Sequence, residues 1–178
     1  MIHPKQKKAQ TVSLDMLLGF FVFLIFIILT FKIWNVYTIR FQNNIDTQDK
    51  WNIALQISDL MVKQRGYPPS WELDPINTEV IGFAWNENNL SELKIQTFVG
   101  YSMVTEGYPT QQELDNYHTV KKLMNIERYN FWFRIIDFDK TVVDNLQSGI
   151  PYHENNSVTI RRLVLVDGKK SILEFSIY

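Results

Sequence analysis

From Met16 to Phe31 the chain reads MLLGFFVFLIFIILTF, sixteen residues with no charge and no proline, and Leu14 and Ile33-Trp34 extend the apolar stretch at its ends. The extended run is about 20 residues, enough to cross roughly 30 Å of hydrocarbon as a helix. Phe, Leu and Ile occupy every face, so no polar side is left for water, and a soluble amphipathic helix is a poor fit. Lys32 stands where a lysine can snorkel to lipid headgroups, and Trp34 and Tyr37 follow where amphipathic rings collect. Lys5, Lys7 and Lys8 precede the run, which places the N-terminus in the cytoplasm and the remainder outside. The run exceeds the apolar region of a removable secretory signal, and Thr30-Phe31-Lys32-Ile33-Trp34 offers no small-x-small cleavage site.

Composition narrows what the outer part can do. There is no cysteine, which excludes disulfides, thiolate nucleophiles and thiolate metal sites. The formal charge is -1 with the signs interspersed, so no basic field for nucleic acid is present. Twelve Phe, eight Tyr and five Trp supply the core that disulfides do not. His3, His118 and His153 are scattered without a second ligand at metal spacing, and Asp137-Phe138-Asp139 lacks the spaced ligands of a calcium loop. No phosphate loop, serine elbow or dinucleotide fingerprint occurs, so neither an enzyme nor a cofactor is expected.

No proline interrupts Thr11 to Gln64, and Gly19 is the one glycine there, which predicts a continuous helix with Asn43-Asn44 as a candidate bend. Its outer part carries an apolar stripe of Trp51, Ala54, Leu55, Ile57, Ser58 and Met61, and Gly66-Tyr67-Pro68-Pro69 stops it. A strand is expected over Glu79 to Trp85, a short helix from an Ser91 cap through Val99, and a helix over Pro109 to Asn125. Tyr129 to Phe138 reads as a strand, and Ser157 to Val166 pairs with Lys169 to Tyr178 across Asp167-Gly168 as a hairpin. The expected fold is α+β: a long N-terminal helix, its lower half transmembrane, packed on an antiparallel sheet.

Lys7-Lys8-Ala9-Gln10-Thr11-Val12-Ser13-Leu14-Asp15, running straight into the apolar segment, resembles the class III signal peptide of archaeal type IV pilin-like proteins. Ser58-Asp59-Leu60, Gly66 to Glu72, Ile81-Gly82-Phe83-Ala84, Tyr129 to Ile135 and the C-terminal strand pair also look like segments of minor pilin-like proteins of that group. The resemblance implies a pilin-like architecture and a leader removed on the cytoplasmic side by a membrane-embedded prepilin peptidase. Cutting between Ala9 and Gln10 fits the residue types, while cutting after Gln10 makes Asp15 the fifth mature residue, as is usual in the family. The chain then divides into a leader at 1–10, a membrane helix at 11–34, a helical extension at 35–65 and an extracellular head at 66–178.

The resemblance further implies a filament or secretion-type assembly with other pilin-like subunits as partners. Leu14, Leu17, Phe21, Leu24, Ile28 and Phe31 would hold the helix in lipid and against sister helices, and Asp15 would pair with a neighbour's new α-amine. The bland reading of Asp15 is a helix N-cap or first-turn acid. A permanently anchored ligand- or surface-binding domain is the alternative function. Asn89-Leu90-Ser91 and Asn155-Asn156-Ser157 fit the N-glycosylation pattern. Arg161 and Arg162 read as solvated charge at a sheet edge, and Tyr67, Trp71 and Trp85 as core packing or an exposed aromatic patch.

Overall fold

In the computed structural model, residues 5–139, 142–151 and 157–178 are described, with side chains described from Asp15 onward and, in the 142–149 strand, from Leu146 onward. The chain divides into two compact units, Met1–Asp46 and Thr47–Tyr178. Helix α1 spans Lys5–Lys63 without a break at Asn43-Asn44. The first unit consists of α1 residues whose described side chains face outward almost throughout.

The second unit adds α2 (Glu92–Ser102), α3 (Gln111–Leu123) and six strands: β1 (Ala84–Asn86), β2 (Asn89–Leu90), β3 (Phe131–Asp137), β4 (Val142–Gly149), β5 (Val158–Val166) and β6 (Lys169–Ile177). Their order in the sheet is β1-β2-β5-β6-β3-β4. Its layout is α+β, with one departure from expectation: β2 runs parallel to β5, pairing Asn89 with Leu165 and Leu90 with Val166, so the sheet is mixed. Alternation along β5 fixes which residues face the core, but not which strand adds to its free edge.

The end of α1 organises this unit. A helix leaves its last carbonyls without partners, and here Met61 O accepts from Phe83 N at 2.9 Å, Val62 O from Asn88 N at 3.1 Å and Gln64 O from Ala84 N at 2.9 Å. These bonds explain why the strand expected over Glu79 to Trp85 shrinks to Ala84–Asn86: Phe83 and Ala84 spend their N–H groups on the helix, while Val80 pairs with Tyr67. Gly66, at φ 81°, turns the chain out of the helix. Trp71 then folds beneath, donating from Nε1 to Gly82 O at 2.9 Å. A Cβ on Gly82 would lie 2.6 Å from Gly66 N, and one on Gly66 2.5 Å from Trp71 Cδ1, so the approach requires glycine on both sides.

Below this junction α1 buries Lys50, Ala54, Ile57, Ser58, Met61 and Val62, a helical face. Trp51 and Leu55, expected in the same stripe, point outward instead. The core rings interlock: Phe83 meets Phe98 and Phe133 edge-on at 5.2 and 5.6 Å, and Tyr117 stacks on Phe131 at 4.9 Å. Ser91 caps α2 by accepting from Lys94 N. Thr110 and Glu113 form a reciprocal capping box on α3. Both helices thus start at their caps, α2 running three residues past Val99 and α3 beginning inside Pro109. The β5–β6 hairpin turns on Asp167 and Gly168, both at positive φ. Strand β4, which no clean alternation announces, pairs with β3 through a register shift.

Gly82→Ala is expected to destabilise the protein by about 1–3 kcal/mol, because a methyl has no room at the helix junction. Gly100→Ala, in α2 with open space around it, should be neutral or stabilising by about 0.5–1 kcal/mol. Thermal unfolding of the two purified full-length variants in detergent compares them.

Candidate functional site: the apolar helix and the charged contacts of the head

Among the described residues one helix is long and apolar enough to cross a membrane; an 18-residue window of it has mean hydropathy 2.7 and none of that window is buried. A core helix of a soluble domain meets the same length and composition test but hides its apolar surface. Leu17, Phe21, Leu24, Ile28 and Phe31 are all exposed, and so are their neighbours on the other faces, Leu18, Phe20, Phe23 and Ile25. No single apolar seam therefore stands out on the described span. The Leu14 side chain lies outside the described residues, as do the side chains of Ala9 and Gln10, whose backbone is helical within α1.

Asp15 requires a correction. With α1 starting at Lys5 and no acid in its first turn, Asp15 is neither N-cap nor first-turn residue, so the helix dipole does not account for it. It is exposed at the inner border of the apolar run, where a carboxylate entering hydrocarbon is costly unless neutralised.

The head's ion pairs were not legible from spacing. Glu174, on β6, is 1% exposed, and its two oxygens accept from Arg134 Nε and Arg161 Nε, each at 2.7 Å. Register explains the arrangement: Glu174 lies directly across from Arg134 on β3 and Arg161 on β5. Arg162 faces the other side of β5, where it bonds the Asp59 carboxylate and, at 3.3 Å, Ser58 Oγ on α1. Strand β2 pairs with β5 only at Leu165 and Val166, so Arg161 and Arg162 lie on the stretch of β5 bounded by β6 alone, and both are ion-paired there. The hydrogen bond from Lys63 holds the Asp59 carboxyl below its ordinary value; desolvation opposes this, and the Arg162 charge adds to the lowering.

Lys94 is buried and ties down the loop after α1, donating to Arg65 O and, at 2.6 Å, to Pro69 O, with Glu72 at 3.7 Å. Burial pushes its ammonium below the ordinary lysine value, opposed by Glu72. Three contacts to oxygen make it a structural clamp. Tyr117 is a buried core residue whose hydroxyl accepts from Phe131 N at 3.0 Å. Trp71 belongs to the core, while Tyr67 and Trp85 are exposed.

Asn89 sits in β2, followed by buried Leu90 and by Ser91, whose hydroxyl caps α2. Asn155, His3 and His153 lie outside the described residues. Among the described residues no cluster of His, Asp and Glu could hold a metal, and His118 packs edge-on against Tyr117. A groove of about 230 Å³ is lined by Ile53, Ile57, Leu60, Ile81 and Leu123 with Gln56 and Asn125 beside them, and no titratable group lines it.

Two measurements test the ion pairs. Arg161, 68% exposed, should cost about 0–1 kcal/mol when replaced by alanine. Arg134→Ala combined with Arg161→Ala strands a buried carboxylate and should cost about 3–5 kcal/mol, more than the sum of the singles. For Asp59 the depressed carboxyl contributes stability above the ordinary value of 3.8, lost as pH falls through the folded-state value. The difference between wild type and Asp59→Asn in denaturant midpoint should accordingly be widest near neutrality and close in acid. No protein-family model, no curated protein and no solved structure matches this chain, so the functional reading rests on its sequence and geometry.

Proposed function

We propose that the chain is a structural subunit of a type IV pilus-like filament or secretion-type assembly, held in the membrane by α1 with its N-terminus cytoplasmic and its head outside. The observation that carries the reading is the unburied apolar window of α1, preceded by a basic leader with Ala9-Gln10 and by Asp15. A prepilin peptidase removes the leader between Ala9 and Gln10, or one residue later, and the apolar helix stays with the mature protein.

The mechanism is association. In lipid, isolated apolar helices gain little by touching, so packing and polar pairs decide which ones associate. Asp15 supplies a negative charge that the α-amine freed by cleavage, presented by a neighbouring subunit, neutralises; each ion alone in hydrocarbon costs several kcal/mol.

Mass measurement of the N-terminus of protein taken from its native membrane tests the reading. Loss of residues 1–9 or 1–10 with the apolar helix retained is expected, and Asp15→Ala should lower recovery in the assembled fraction at least tenfold while leaving head unfolding unchanged. An intact N-terminus beginning at Met1, with the protein never in an assembly, would instead favour a permanently anchored binding domain.

A further inference from the structure

Two faces of the head unit carry exposed apolar groups. On the outer face of the sheet, opposite the side covered by α2, α3 and the buried part of α1, Leu163 is 68% exposed, on the stretch of β5 that precedes its short pairing with β2. It lies in a row with Ile172 and Ile136 across three strands. Among the described residues, Arg134, Arg161 and Lys170 share that face with one carboxylate, Glu174, which the two arginines already occupy. The described part of the face is therefore an apolar row flanked by net positive charge.

The second surface is the pair of single 3₁₀ turns, Trp71–Leu73 and Pro75–Asn77, which pack on the helical side of the head. Leu73 and Ile76 are 79% and 78% exposed there. From Ser70 to Val80 the segment holds Glu72, Asp74 and Glu79 and no basic residue. It is also rigid: Trp71 is fastened to Gly82 O, and Lys94 holds Arg65 O and Pro69 O behind it. A preorganised apolar projection loses little entropy on docking.

We propose that these surfaces are the two halves of one contact between copies of this chain, with Leu73 and Ile76 of one head seated beside Leu163 of the next and Glu79 facing Lys170. The assignment deepens the assembly reading and rests on it. Opposite charge sets the pairing and the register. Because the halves lie on opposite sides of the head, the contact is heterologous and propagates from copy to copy instead of closing as a two-fold dimer. The chain is thereby a repeating subunit that meets its own kind.

The absence of cysteine makes crosslinking unambiguous. Full-length protein carrying Ile76→Cys and Leu163→Cys, oxidised in its native membrane or filament, is expected to yield a ladder of dimers, trimers and higher species. Either single variant alone should stay monomeric, and the two singles co-expressed should stop at dimers. Lys170→Glu should reduce the ladder severalfold, and adding Glu79→Lys should restore it. Dimers from a single variant, or Leu163→Cys linked to a different protein, would overturn the contact. If the protein is recovered in the assembled fraction but no ladder forms, this contact is wrong and the assembly reading survives. Recovery as a solitary membrane species with an intact N-terminus ends both.

Discussion

The carbonyls of Met61, Val62 and Gln64 need donors, and the chain supplies them from Phe83, Asn88 and Ala84, some twenty residues further on. A helix that ends inside a domain must solve this problem, because buried carbonyls left unpaired cost more than ordinary hydrogen bonds contribute. The solution brings Gly82 against Gly66 and places Trp71 beneath both, with its indole N–H on Gly82 O. It also delivers Phe83 to the centre of the aromatic core, against Phe98 and Phe133. From there the sheet register follows, since β1 and β2 continue directly from the junction and β2 adds to β5.

Polar groups in the head serve the same economy of partners. Lys94 and Glu174 are buried, yet each is surrounded by oppositely polarised atoms: carbonyls and Glu72 around the lysine, two guanidinium groups around the carboxylate. Such groups add less net stability than apolar residues of equal volume, but their removal strands a partner, so they make the local geometry unforgiving. Arg162 does this between layers, joining β5 to Asp59 and Ser58 of α1. The helix is thus tied to the sheet by charge as well as by Ala54, Ile57 and Met61.

α1 changes character along its length. From Phe20 to Phe31 apolar residues occupy every face and nearly all are exposed, an arrangement that suits apolar surroundings. From Lys50 onward the apolar residues narrow to one face, as in any helix that covers a sheet while its other side meets water. Asp15 stands at the other border of the apolar run, well inside the uncut helix.

The long apolar helix, the cap at Ser91, the stop at Gly66 and the Asp167-Gly168 hairpin were all legible in the sequence, because each depends on residues within a few positions of one another. The words Gly66 to Trp71 and Ile81 to Ala84 could be picked out as segments, but not as two sides of a single junction. Only the tertiary structure decided that Glu79 to Phe83 serves the helix in place of a strand, that β2 lies parallel to β5, and that Arg134 and Arg161 converge on Glu174. Those outcomes depend on which distant backbone groups need partners once the core has closed. Local periodicity carries no information about that need.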